Sequence, residues 1–133
     1  MTKAIQQSVR FAASPKQLFE MYMDSRKHSE ATGGKARIER RVGGKFSAWN
    51  GALSGRNLMI VPNKMLAQAW RSVHFEASDP DSILILQFRK AGSGCVVELV
   101  HANVAAQDHQ GVRGGWPKYC WRPWKKYLAR KKR

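Results

Sequence analysis

The stretch GGKFSAWNGALSGRNLMIVPNKMLAQAW, residues 43–70, constrains the fold more than any other part of the sequence. Its β-prone runs are separated by Asn50-Gly51 and Pro62-Asn63, which are turn signals. Asn-Gly favours a type I′ hairpin turn because both central residues of that turn take positive φ. Gly55, inside the middle run, indicates a bulge or the close approach of another backbone. The stretch therefore predicts a meander of three antiparallel strands, at residues 46–49, 53–61 and 65–71.

Further strands are predicted on both sides of this meander. The apolar runs or alternations that indicate them lie at residues 5–11, 35–42, 82–90 and 95–104, so the sheet should have six or seven strands. Two short helices interrupt the series. Ser14-Pro15-Lys16-Gln17 forms a capping box for the first helix, and Asp24-Ser25 caps a second helix that ends before Gly33-Gly34.

The end of the chain predicts a third helix, in GWPKYCWRPWKKYL. Its apolar residues recur at helical spacing, as expected of a helix that covers an apolar surface. Pro117 fits only in the first turn, and Pro123 removes an internal hydrogen bond and should kink the helix. The polar segment AQDHQGVRGG, residues 106–115, is interpreted as the connection that leads into this helix.

This order of elements is that of the helix-grip fold, an α+β architecture in which a curved antiparallel sheet wraps a C-terminal helix and leaves a cavity between them. The segments VRFAASPKQLFEMYMDSRKHS, DPDSILILQF, VVELVHANV and GGWPKYCWRPWKKYL, together with residues 32–71, carry a further likeness. They resemble the bacterial START-like (SRPBCC) proteins, which share the birch-pollen-allergen-like fold and are related to the C-terminal domain of the activator of heat-shock protein 90 ATPase.

The resemblance implies a domain that binds a small hydrophobic ligand or associates with a chaperone in the stress response, with no defined catalytic activity and no cofactor. A length of 133 residues leaves no room for the separate N-terminal domain of the full activator, so stimulation of that ATPase is not carried over. Two features depart from the family pattern: the basic end at residues 125–133, and Pro117 directly after Gly115-Trp116.

Length and composition predict a single domain spanning residues 1–133, since a chain of this size can bury a substantial core. There is no apolar run long enough to cross a bilayer and no apolar core of a signal peptide, so we expect a cytoplasmic protein that does not insert into membranes. We also expect a monomer. Cys95 and Cys120 are expected to be reduced and buried.

The net charge of +15 bears on partners rather than on fold. It is concentrated in a C-terminal basic surface, formed by Lys125, Lys126, Arg130, Lys131, Lys132 and Arg133. This surface suits an acidic protein or, with Trp121, Trp124 and Tyr127 as stacking surfaces, a nucleic acid. We favour a solvated helix face over nucleic-acid binding, because loose runs of charge are usually solvated.

The aromatic residues and one histidine supply the candidates for the wall of a cavity: Trp49, Trp70, Phe88, His101, Trp116 and Tyr119. Each aromatic residue alone is more often part of an ordinary core, but as a set they favour a pocket. His101 either points into the cavity and hydrogen-bonds a ligand, or is a core histidine with a backbone carbonyl as its partner. The second interpretation is favoured because buried polar groups usually find partners in the protein.

No metal site and no catalytic residues are predicted. The four histidines are not at metal-binding spacings, and neither cysteine belongs to a C-x-x-C pair. Glu98 and His101, three residues apart on one strand, point to opposite faces and do not form an acid–base pair. A cyclase-like or hydrolase-like enzyme that uses the same cavity is retained as an alternative, on the fold alone.

Overall fold

The computed structural model describes residues 2–131, and Lys132 and Arg133 of the predicted basic surface lie outside that range. Seven strands form one curved antiparallel sheet in the order β1-β7-β6-β5-β4-β3-β2. Their bounds are Ile5–Phe11 (β1), Arg37–Ile38 (β2), Lys45–Ala48 (β3), Leu53–Val61 (β4), Met65–Ser72 (β5), Ser82–Ala91 (β6) and Gly94–Ala102 (β7). The predicted α+β helix-grip architecture is confirmed.

Two short helices follow β1, and both begin at the predicted caps. In α1, Pro15–Met23, the Ser14 hydroxyl accepts a hydrogen bond from the Gln17 amide at 3.1 Å. In α2, Ser25–Thr32, the Asp24 carboxylate accepts from the Lys27 amide at 2.9 Å, and Gly33 ends the helix with φ of +89°. These caps satisfy amides that have no partner within the helix.

The terminal helix begins earlier than the sequence predicts. After a 3₁₀ turn at Ala106–Asp108, it consists of α3 (His109–Trp116), a π turn (Pro117–Trp121) and α4 (Arg122–Lys131). The segment interpreted as a connection is therefore mostly helical, because Val112 and Trp116 lie four residues apart and are both buried. Packing of these two side chains outweighs the low helix propensity of the nearby glycines.

The π turn accommodates the two prolines. The Arg122 amide bonds to the Pro117 carbonyl, five residues back, so the backbone is wider there than in an α-helix. In a regular helix the ring of Pro123 would clash with the carbonyl of Tyr119. Widening the turn directly before Pro123 lets the helix pass through both prolines, and it leaves Tyr119 45% exposed.

The prediction of a strand over residues 35–42 is wrong in the length of the strand, since only Arg37 and Ile38 pair with β3. The following residues form a turn instead. The Asn57 side-chain amide donates to the carbonyls of Glu39 and Arg41, and the Glu39 carboxylate accepts from the Lys45 amide. These hydrogen bonds from side chains to the backbone take the place of a strand ladder after Ile38 and end β2.

The meander has the predicted turns. Asn50 and Gly51 have φ of +58° and +91°, and Gly55 lies where β5 approaches β4 closely. A register shift between Asn57 and Met59 marks a bulge in β4. Bulges bend the bulged strand, which is consistent with the curvature of the sheet around the terminal helix.

The core fills the space between the inner face of the sheet and the three helices. Its largest fully buried side chain is Trp124 of α4, which packs against Phe11 of β1 and Tyr22 of α1. Cys95 and Cys120 are free and buried, as predicted. Of the helices in residues 2–131, none combines the length and apolar character needed to span a bilayer.

Candidate functional site

A cavity of about 710 Å³ lies between the sheet and the terminal helix. Strands β3 and β5 provide one wall, and α3 and the π turn provide the opposite wall. Pockets for small organic molecules are typically about 300–1,000 Å³, so the space suits a ligand rather than a few waters. The apolar part of the lining includes Ile38, Phe46, Ala48, Leu53, Trp70, Val112 and Trp116.

Two indole rings, one from each wall, meet in the lining of the cavity. Trp70 of β5 and Trp116 of α3 have ring centroids 6.3 Å apart, and both side chains are buried. Trp116 also stacks on Trp121 at 5.4 Å. Each tryptophan is therefore held by neighbouring rings, so this part of the cavity lining is preformed.

Trp49 and Tyr119 bring the two walls together at the opening of the cavity. Their ring centroids are 5.4 Å apart in an edge-to-face arrangement. Trp49 has φ of +51°, a conformation that is rare for a bulky residue and costs on the order of 1–3 kcal/mol. Gly34 accommodates this ring, because a Cβ there would lie 2.4 Å from Trp49 Cε3.

Behind Trp116 lies a buried hydrogen-bond relay. The Trp116 indole N–H donates to His101 Nδ1 at 3.1 Å, and Ser82 Oγ lies 2.8 Å from His101 Nε2. Ser82 donates its own hydrogen to the Trp70 carbonyl at 2.6 Å, so it accepts from Nε2. Since an indole N–H only donates, these two partners select the neutral His101 tautomer with the proton on Nε2.

Burial also favours the neutral form of His101. His101 is 0% exposed, and burial, with a smaller contribution from His109, lowers its pKa from 6.5 to about 3. Protonation would place a hydrogen on Nδ1, which could then no longer accept the hydrogen bond from the Trp116 indole N–H. The relay fixes the orientation of a tryptophan in the cavity wall, and Ser82 and His101 themselves do not line the cavity.

The lining also contains polar groups, at its edge with α3. The Ser72 hydroxyl donates to Asp108 Oδ2 at 2.5 Å and accepts from the His74 amide at 3.0 Å. Asp108 is buried at the N-terminus of α3, where the helix dipole favours a negative charge. No Lys, Arg or His side chain in residues 2–131 forms an ion pair with it.

A second set of polar groups comes from α1, α2 and β5. The Tyr22 hydroxyl donates to Gln68 Oε1 at 2.9 Å, and Gln68 donates in turn to Asn57. His28 Nδ1 lies 2.8 Å from the Tyr22 carbonyl, which can only accept, so this nitrogen carries the proton. Burial lowers the pKa of His28, which leaves Nε2 of the neutral ring as an acceptor.

The structure brings together four of the six predicted wall residues, Trp49, Trp70, Trp116 and Tyr119. Phe88 and His101 do not line the cavity. Phe88 packs against Phe19 of α1 in a separate part of the core, with ring centroids 5.6 Å apart. His101 is covered by Trp116, and its partners are two side chains rather than a backbone carbonyl.

The sequence did not predict the contribution of Asp108, which precedes α3, or of Gly111 and Gly115 within α3. The spacing of Val112 and Trp116 was the available signal. Within residues 2–131, no three His, Cys, Asp or Glu side chains are grouped as ligands of a metal ion.

The predicted basic surface lies on the outer side of α4. Lys125, Lys126, Arg130 and Lys131 are exposed. Trp121 and Trp124, which were candidate stacking surfaces for nucleic-acid bases, are buried instead. Both pack inward against Phe11 and are not available for stacking, whereas Tyr127, the third candidate, is half-buried on the basic side of the helix.

The fold recurs in solved structures of low sequence identity. An Hsp90 activator from Plasmodium falciparum is 19% identical with a TM-score of 0.89, and the match covers 96% of this chain and 97% of that chain. CalU16 from Micromonospora echinospora is 24% identical with a TM-score of 0.75, over 95% of this chain and 73% of that chain.

Sequence comparison identifies the family. A curated relative, the activator of 90 kDa heat shock protein ATPase homolog of Dictyostelium discoideum, is 24% identical over 116 residues, which are 86% of this chain and 30% of the relative. The chain thus spans less than a third of that relative's length. The family model described as Activator of Hsp90 ATPase homolog 1-like protein matches residues 12–129, and the chain belongs to this START-like family.

Proposed function

We propose that this protein binds a small hydrophobic molecule in the cavity between the sheet and the terminal helix. The observation that carries the proposal is the preformed wall of Trp70 and Trp116 around about 710 Å³ of space. Each Å² of apolar surface that a ligand buries there contributes about 25 cal/mol before the costs of association. A wall that is already ordered reduces those costs.

Polar groups in the lining would orient such a ligand. His28 Nε2 is an acceptor, and Asp108 Oδ1 has no hydrogen-bond partner among residues 2–131. A ligand that is mostly apolar but carries a hydroxyl or amide N–H fits this arrangement. A few placed polar groups within an apolar lining are typical of small-molecule sites.

Binding accounts for these side chains better than catalysis does. The Ser82–His101 pair has the composition of a nucleophile and its base, but the Ser82 proton is committed to the Trp70 carbonyl. The Ser72 hydroxyl is likewise committed to Asp108. The enzyme alternative would require these hydrogen bonds to break when a substrate enters.

Filling the cavity is expected to weaken the binding of an uncharged fluorescent naphthylamine probe. Ala48 is buried and lines the cavity, so Ala48→Trp places an indole in the space that the probe would occupy. We expect at least a tenfold loss of affinity, equivalent to about 1.4 kcal/mol. Fluorescence titration measures the affinity, and thermal unfolding verifies that the variant is folded.

Ala67→Trp is the matched control, because Ala67 lies on β5 between two inward-facing buried residues and is therefore on the outer face of the sheet. It should leave probe affinity within about twofold of the parent, a difference of about 0.4 kcal/mol. Equal losses in the two variants, or tight binding retained by folded Ala48→Trp, would argue against a ligand role for the cavity.

Association with a chaperone is the second candidate, and the family and the name of the Dictyostelium relative support it. Because the chain spans 30% of that relative, activation of an ATPase is a proposal and not an inherited property. We further propose that the protein acts as a cytoplasmic monomer. Adding the purified protein to an Hsp90 homologue, and measuring ATP hydrolysis and co-migration in gel filtration, tests the association.

A further inference from the structure

The exposed side of the terminal helix carries a row of positive charges that the cavity does not explain. Four of the residues follow one another at intervals of four positions, so they lie along one face over about 18 Å of helix, and the fifth, Lys125, lies beside them. We refer to them as the basic stripe: Lys118, Arg122, Lys125, Lys126 and Arg130.

The basic stripe lacks acidic neighbours on its own helix. From residue 109 to residue 131 the sequence contains no Asp or Glu. The ion pairs found in residues 2–131 use Arg40, Arg41, Arg71 and Arg89, none of which belongs to the stripe. Like charges at these spacings repel one another, so the stripe costs the folded protein stability that an acidic partner would restore.

One end of the stripe meets the opening of the cavity. Lys118 and Tyr119 both line it, and so does Val73, which is 67% exposed. Exposed apolar side chains next to unpaired cations are a combination that suits a protein partner, since an apolar anchor supplies affinity and the charges supply orientation and association rate.

A single-stranded nucleic acid fits this surface less well. Proteins that bind single strands combine cations with exposed aromatic rings on which bases stack. Here Trp121 and Trp124 are buried and Tyr127 is half-buried, which leaves Tyr119 as the exposed ring in residues 109–131. One ring does not provide the succession of stacking surfaces that several bases need.

We infer that the basic stripe is a docking surface for an acidic segment of a partner protein, with an apolar side chain of that segment resting on Val73 and Tyr119. The inference goes beyond ligand binding, because it assigns a second, external surface. It can be tested separately from the cavity, because Arg122, Lys126 and Arg130 of the stripe do not line it.

The test uses the chain of residues 1–133 and a labelled glutamate-rich peptide with one leucine near its end, at near-physiological salt. The stripe variant combines Arg122→Glu, Lys126→Glu and Arg130→Glu. Lys125 is left in place because its Nζ lies 5.8 Å from the centre of the Phe11 ring and contributes to packing. Fluorescence anisotropy gives the affinity of the peptide for each protein.

A matched control variant combines Arg56→Glu, Lys64→Glu and Lys90→Glu, three exposed cations of the sheet and its turns. Each reversal changes the charge by two, so both variants fall from +15 to +9. The control variant therefore has the same net charge as the stripe variant but keeps every residue of the basic stripe.

We expect the stripe variant to bind the peptide about tenfold more weakly than the parent, and the control variant to lose no more than about threefold. Replacing the leucine of the peptide with serine should weaken binding to the parent. The neutral naphthylamine probe should bind all three proteins equally, which separates this result from that of the cavity.

Equal weakening in the two variants would show that net charge alone is responsible and would overturn the inference. So would the absence of peptide binding by the parent. An oligonucleotide of the same charge that binds more tightly than the peptide, and that the stripe variant no longer binds, would assign the surface to nucleic acid instead.

Discussion

Gly55→Ala is expected to destabilise the protein by about 3 kcal/mol or more, at the upper end of the range for overpacking. A Cβ at Gly55 would lie 1.8 Å from the Ala69 carbonyl oxygen of β5 and 2.7 Å from Phe46 Cε2 of β3. Neither neighbour is the free end of a flexible side chain. The substitution must therefore push β4 away from β5, at the point where the sheet forms the cavity wall.

Gly114→Ala is the control for this prediction. Gly114 lies within α3, and a Cβ there meets no atom within 4 Å. The substitution should stabilise the protein by about 0.5–1 kcal/mol, since alanine has the higher helix propensity. Urea unfolding measures both free energies. A Gly55→Ala variant as stable as the parent would show that β4 and β5 do not approach as closely as described.

Acidification from pH 7 to pH 5 is expected to cost about 2 kcal/mol of stability through His101 alone. Its pKa is about 3 in the folded protein and 6.5 when unperturbed, so in this interval the unfolded chain binds a proton that the folded protein does not. The contribution is complete above pH 6.5 and is lost as the pH falls towards 3. The lowered pKa of His28 acts in the same direction.

His101→Gln removes the contribution of His101 to the pH dependence of stability, because glutamine does not titrate. His28 and the carboxylates are unchanged in this variant. The free energy of unfolding of the variant should fall by about 2 kcal/mol less than that of the parent between pH 7 and pH 5. Parallel pH profiles for the two proteins would mean that His101 is accessible to protons and does not hold Trp116 in the neutral relay.

Local signals predicted the parts of the fold that depend on neighbouring residues. Ser14 and Asp24 cap their helices, and Asn50-Gly51 turns the meander, because each of these effects acts within about four residues. The start of α3 was missed because it depends on burial of Val112 and Trp116 against distant parts of the chain. The short β2 depends similarly on Asn57, which reaches carbonyls at Glu39 and Arg41.

The same distinction applies to the candidate site. Aromatic character was sufficient to identify Trp49, Trp70, Trp116 and Tyr119 as candidates that the structure places around one cavity. The alternation of residues along β7 predicts that His101 points to the inner face of the sheet. It does not predict that Trp116 of α3 covers the His101 side chain. The helix packed on the sheet determines which inward-facing residues line the cavity.

Methyl NMR is the most direct test of whether the cavity lined by Trp70 and Trp116 admits an apolar ligand. The neutral naphthylamine probe is titrated while the methyl signals of Ala48 and Val112, which line the cavity, are compared with that of Ala67 on the outer face of the sheet. We expect saturable shifts for Ala48 and Val112 and none for Ala67. Shifts confined to Ala67, or no shifts in either inner methyl group at saturation, would contradict this expectation.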